Sequence, residues 1–221
     1  MKTAMLIAGN ARFCNEFDRQ LESLKNSDID IYAIFWNRNH SDDQYIPPSW
    51  NSAYAKGLIE PMLPSNVRLA HVEVLDPNAA PQPQKTYNEF YCNTAALWNQ
   101  YWILQQCQQR LTDSKAEYDL VIRSRPDVSI TASLDLKYIK NYLHQNPKEI
   151  VIPSNRGGGN FNDQFAIGLP YAISLYCQAI DHFDRVYTNK GTLWNPEWLM
   201  SQIIRDFGLH WGQYDFNTNL R

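Results

Sequence analysis

The sequence predicts an α/β protein with a mostly parallel sheet flanked by helices, and three observations carry that reading. The chain opens as strand, helix, strand. Met5 to Ala8 is apolar, Phe13, Phe17, Leu21 and Leu24 recur at helical spacing, and Ile29 to Phe35 is rich in β-branched and aromatic residues. Such an opening starts a parallel sheet. A later apolar run, Leu120 to Ile122, is bounded by polar residues and breaks at once into Arg123, Arg125 and Asp127. Between them, Asn88 to Leu111 holds no proline or glycine and predicts one long helix with a stripe of Phe90, Leu97, Tyr101, Leu104 and Leu111.

The remaining elements follow in order. Asn37 to Pro64 is polar and carries Pro47, Pro48, Pro61 and Pro64, which predicts a long loop with little regular structure. Val67 to Leu75 makes a third strand running into Asp76-Pro77, and Pro77, Pro81 and Pro83 mark a linker. Leu134 to His144 reads as helix and Glu149 to Ile152 as strand. A loop with Gly157-Gly158-Gly159 then leads into Asn162-Asp163-Gln164 and the apolar run Phe165 to Gly168. Pro170 suits the first turn of a helix to about Tyr187, and Asn195-Pro196 caps another that ends at Gly208. Leu209-His210-Trp211 begins an edge strand. With no internal repeat, low-complexity tract or clear boundary, residues 1–221 read as a single domain.

Composition narrows the function. A hydrophobic fraction of 44% and an aromatic fraction of 13% fit a folded protein with a substantial core. The seven Trp and thirteen Tyr fill cores, and they also line surfaces that stack on sugars and bases. A net charge of −3 gives no general attraction to nucleic acid. Cys14, Cys92, Cys107 and Cys177 form no close pair, so they read as buried thiols rather than a zinc site or a disulfide framework. The apolar run near Met1 is too short for a signal-peptide core or a membrane span, so a soluble cytoplasmic protein is expected.

Ligands of open α/β sheets bind beyond the carboxyl ends of the strands. Arg123, Arg125 and Asp127 stand there, with Pro126 shaping the turn. Guanidiniums suit a diphosphate, and a carboxylate suits Mg²⁺ or Mn²⁺. A salt bridge at a strand end is the plainer alternative. Gly9 ends the first strand where backbone can approach a nucleotide, with Arg12 close behind. Trp36 ends the second strand, where it stacks on a base or belongs to the core. Asp76 either accepts from a base or ribose or forms the turn before Pro77. Asp163 is a candidate base or a loop-capping residue, and His210, a lone histidine beside Trp211, reads as structural. Gly157 to Gly159 lack a P-loop or dinucleotide-binding pattern around them.

Tyr118-Asp119-Leu120-Val121-Ile122-Arg123-Ser124-Arg125-Pro126-Asp127-Val128 resembles the "yD-apolar-R-x-R-P-D" segment of GT-A-fold glycosyltransferases of lipopolysaccharide and viral glycan synthesis. Leu6 to Arg12 is similar to the first strand and glycine-to-arginine turn of that family, and Ile31 to Trp36 to its second strand. Asn162 to Gly168 is similar to its "D-x-F-A-x-G" segment, and Pro196-Glu197-Trp198-Leu199 to its late helix start. In order, these segments span most of the chain. The resemblance implies a single-domain, GT-A-like (Rossmann-like) fold. It also implies a hexosyltransferase-type enzyme that passes a sugar from a nucleoside diphosphate donor, UDP-linked, to a hydroxyl of a glycan or other acceptor. Ala8, Gly9, Arg12, Trp36, Asp76, Arg123 and Arg125 would then hold the nucleotide. Asp127 and His210 would hold Mn²⁺ or Mg²⁺, and Asp163 would be catalytic. Arg125 stands where such enzymes usually carry the first aspartate of a D-x-D motif, which leaves a non-catalytic nucleotide-sugar or glycan-binding module as the other reading.

Overall fold

In the computed structural model, the described residues are 1–10, 20, 24, 27–37, 50–82, 94–130, 133–154, 161–190, 196–214 and 218–220. They contain nine strands: β1 (Lys2–Asn10), β2 (Asp28–Trp36), β3 (Val67–Leu75), β4 (Leu120–Ser124), β5 (Val128–Ile130), β6 (Glu149–Pro153), β7 (Phe165–Gly168), β8 (His210–Tyr214) and β9 (Thr218–Leu220). Seven form one mixed sheet in the order β3-β2-β1-β4-β7-β6-β8, and β5 pairs with β9 in a small antiparallel sheet. Within the large sheet every strand runs the same way except β7, which is antiparallel to both β4 and β6. The expected α/β class and mostly parallel sheet are therefore observed.

Alternation along the central strands assigns the two faces. Ala4, Leu6 and Ala8 of β1, with Tyr32, Ile34 and Trp36 of β2, point to one side. There they meet α2 (Thr94–Asp113), α4 (Pro170–Cys177), α5 (Ala179–Lys190) and α6 (Pro196–Asp206) through Leu97, Tyr101, Tyr176, Phe183 and Ile203, among others. Met5, Ile7, Ile31, Ala33 and Phe35 point to the other side, against α1 (Ser52–Ile59) and α3 (Leu136–Gln145) through Ala55, Ile59, Ile139 and Leu143. A strand covered on both faces reads as a continuous apolar run, which is why β1, β2 and β4 stand out in the sequence.

Two expectations need correction. The polar stretch from Asn37 to Pro64 contains α1 and a 3-10 turn, Glu60–Met62. Asn51 caps α1 by accepting from the Tyr54 amide at 3.0 Å, Ala55 and Ile59 bury a one-turn-spaced pair, and Pro61 enters only where the helix has tightened. The helix expected from Pro170 to Tyr187 is two helices, α4 and α5, parted at Gln178. The β5–β9 sheet was not foreseen. The expected helix from Phe13 to Leu24 falls almost wholly outside the described residues, as do Cys14 and Cys92. Cys107 and Cys177 are buried free thiols, and burial pushes the Cys177 thiol up to about 12. No helix among the described residues is long and apolar enough to cross a membrane.

The amino edge of the sheet is stitched by charge. Asp30 accepts from Arg68 Nε and Nη2, both at 2.8 Å, and from the Tyr118 hydroxyl at 2.8 Å. The bonded Arg68 guanidinium holds the Asp30 carboxyl below its ordinary value, against the opposing effect of burial. A depressed carboxyl adds stability above its unfolded value and loses it as pH falls through the folded one. Unfolding stability should therefore decline below about pH 4, and Asp30→Asn should remove part of that slope. The expected loss is on the order of 1 kcal/mol, because Arg68 is largely exposed to screening water. Denaturant titrations from pH 3 to pH 6 check it.

Candidate functional site

A cleft of about 330 Å³ opens at the carboxyl edge of β1, β2 and β4, the place the sheet topology reserves for a ligand. Its floor is Ala8, Gly9 and Asn10 from β1 and Trp36 from β2. Gly9 has φ +148°, and a Cβ there would sit 3.2 Å from Cδ of the Pro126 ring. Only glycine lets β1 end this close to the turn after β4. Gly9→Ala should cost about 1–3 kcal/mol, read as a lower denaturant midpoint, with the cleft floor displaced.

The turn after β4 supplies the charge. Gln20, fully buried, donates to the Ser124 hydroxyl at 2.7 Å and to the Val128 carbonyl at 2.6 Å, so it clamps both sides of the turn. Arg125 and Asp127 project from it into the cleft lining. They form a bidentate pair, Nε to Oδ1 at 2.9 Å and Nη2 to Oδ2 at 2.8 Å. Burial works against the Arg125 charge, but Asp127, then Asp163 and Glu197, more than offset it and hold the guanidinium above its usual value.

The opposite wall comes from α2. Ala96, Asn99 and Gln100 line the cleft at i, i+3 and i+4, one face of a helix whose other face is core. Gln100 donates from Nε2 to Asp163 Oδ2 at 3.0 Å. Asp163 is only 3% exposed, and its carbonyl accepts from Arg123 Nη1 and from the Tyr176 hydroxyl, the latter at 3.1 Å. Glu197, in the first turn of α6, shares this field. Burial, followed by the nearby Asp163, raises its carboxyl above the ordinary range.

The structure thus brings Ala8, Gly9, Trp36, Arg125 and Asp127 to one cleft, with Asp163 joined to it through Gln100. Trp36 answers both readings: it lines the cleft, yet it is buried and stacks on Trp102 with centroids 5.6 Å apart. Three expected residues stand elsewhere. Arg123 is 1% exposed and faces the helices, because alternation along β4 turns it away from the side on which Ser124 meets Gln20. Its guanidinium holds a backbone carbonyl rather than lining the cleft. His210 opens β8 level with Glu149, the first residue of β6, which puts it at the amino edge of the sheet, away from Asp127. Asp76 is at the right edge but caps the turn Pro77–Ala79, accepting from the Asn78 amide at 2.8 Å. Arg12 and Gly157 to Gly159 lie outside the described residues. Asn10, Asn99, Gln100 and Glu197 were not foreseen as site residues. The i, i+3, i+4 stripe at 96, 99 and 100 was the available signal for α2.

A divalent cation of the Mg²⁺ or Mn²⁺ type asks for hard oxygen donors, few from protein and the rest from phosphate and water. Asp127, Asp163 and Glu197 set three carboxylates around Arg125, the sole cationic side chain among the described lining residues. That excess of negative charge suits a cation. Both Asp127 oxygens, however, are engaged by Arg125, and no group of three or more His, Cys, Asp or Glu residues able to hold an ion is found among the described residues. The described residues therefore build no cage for an ion by themselves.

No protein-family model and no curated protein matches the chain. Among solved structures it is similar to the glycosyltransferase GlyE of Streptococcus pneumoniae TIGR4, at TM-score 0.49 and 14% identity, over 97% of this chain and 45% of that one. The apo form of GlyE gives TM-score 0.47 and 13% identity, over 96% and 45%. The chain spans less than half the length of those structures, and likeness of this degree carries nothing about residues or reaction.

Proposed function

We propose that the protein is a glycosyltransferase that uses a nucleoside diphosphate sugar, UDP-linked, and passes the sugar to a hydroxyl of a glycan or other acceptor. The observation that supports this most is the meeting, at the carboxyl edge of the sheet, of an arginine–aspartate turn with a buried acid held by a cleft-lining glutamine. The floor at Ala8 to Asn10 and Trp36 would receive the nucleoside, and Arg125 would offset diphosphate charge. Asp127 would be the residue to hold Mn²⁺ or Mg²⁺, and that ion would supply charge stabilisation to the departing nucleoside diphosphate. Asp163 would take the proton of the acceptor hydroxyl while that oxygen bonds to the anomeric carbon and the bond from carbon to phosphate oxygen breaks.

The test is incubation with a panel of UDP-, GDP-, dTDP- and CMP-linked sugars, in Mn²⁺ and in EDTA, with mixed glycan acceptors. Release of the free nucleotide together with a glycosylated product is expected for one donor. Tight nucleotide binding without turnover of any donor would instead favour a non-catalytic binding module on the same fold.

A further inference from the structure

We infer that Arg123, Tyr176 and Gln100 are positioning residues that fix the pose of Asp163, an inference that rests on the transfer reading above. A desolvated guanidinium ordinarily faces a carboxylate, since an isolated charge is costly to bury. Arg123 is 1% exposed, yet it donates to a neutral group, the carbonyl of Asp163, and its Nε has no partner among the described residues. The Tyr176 hydroxyl donates to the same carbonyl at 3.1 Å, and the guanidinium lies 5.9 Å from the centre of the Tyr176 ring. Two donors on one oxygen fill both its lone pairs and stop the peptide unit from rotating. Packing alone would be served by leucine or methionine at position 123. What the charge adds is a fixed origin for the Asp163 side chain.

The third member acts from the far side. Gln100 holds Oδ2 at 3.0 Å from α2, while Arg123 comes from β4 and Tyr176 from α4. An acid anchored at its backbone by two elements and at its carboxylate by a third has one orientation, set beside the cleft-lining Gln100. Displacement of a reacting group by about 1 Å can slow a reaction about 10²-fold with little effect on binding.

Tyr176→Phe removes one donor and keeps the ring, and Gln100→Leu removes the carboxylate's donor. Both are milder than Arg123→Met, which risks misfolding. Expected are kcat values lower by about tenfold or more in both, with the donor KM and the Kd for UDP, GDP or dTDP within about threefold in Tyr176→Phe, which lies outside the cleft lining. The Gln164 amide, which donates to Asn162 Oδ1 at 2.9 Å, should exchange hydrogen about tenfold faster in Tyr176→Phe. Unchanged kcat in both variants overturns the inference. So does a parallel loss of kcat, nucleotide affinity and thermal midpoint while Gln164 exchanges as before. If the unaltered protein turns over no nucleoside diphosphate sugar, the transfer reading falls by itself, and hydrogen exchange alone decides: unchanged Gln164 protection in Tyr176→Phe overturns the positioning role as well.

Discussion

Asp163→Asn is expected to slow sugar transfer by about 10²–10⁴-fold while leaving donor binding near its original strength, the range a positioned general base supplies. Asparagine keeps the shape of the side chain, and its carbonyl oxygen can still accept from Gln100, so the wall of the cleft stays in place. What it loses is the ability to take a proton from a hydroxyl. The buried setting makes substitution by water-borne base inefficient, since Asp163 is 3% exposed. Steady-state kcat measured beside a calorimetric Kd for the donor nucleotide separates the two effects. Turnover near the original rate would remove Asp163 as the base.

Asp127→Ala is expected to act twice. It strands Arg125, whose side chain is 26% exposed, without its bidentate partner, and loss of one half of a mostly buried pair should cost about 2 kcal/mol, less than in a fully buried site. On the proposed function it should also weaken nucleotide binding in Mn²⁺ by about tenfold or more, because Asp127 is the carboxylate proposed to meet the cation. The two effects come apart in the double variant Asp127→Ala with Arg125→Met. Stability should partly return there, while nucleotide binding should not. Denaturant midpoints and calorimetry in Mn²⁺ and in EDTA read each effect, and unchanged Mn²⁺-dependent binding in Asp127→Ala would take Asp127 off the metal.

Much of the scaffold was legible because its central strands are buried on both faces. The apolar runs ending at Ala8, Phe35 and Ile122 could not be anything else, and the charges after Ile122 marked the ligand edge. The parity of the strand was what the sequence left undecided. Arg123 and Arg125 look equivalent as letters two apart, and if β4 continued they would share a face. The strand ends at Ser124, so Arg123 obeys the pleat and Arg125 obeys the turn that Gln20 clamps. His210 failed for a related reason: a strand can be foreseen without its direction, and direction decides which edge its first residue joins. Glu197 and Gln100 were hidden because their roles depend on a group far along the chain, Asp163, which Gln100 reaches across 63 residues. The helix in 52–59 was masked by prolines that sit just outside it.

The reversed direction of β7 decides which edge of the sheet Asp163 joins. Its first residue, Phe165, pairs with Ser124, the last of β4, so the chain enters β7 at the same edge where it leaves β6. Ser154 and Gln164 therefore both stand at the carboxyl edge of the sheet. Had β7 run parallel to its neighbours, Asp163 would enter at the opposite edge, where His210 stands, and not at the edge of the Arg125–Asp127 turn.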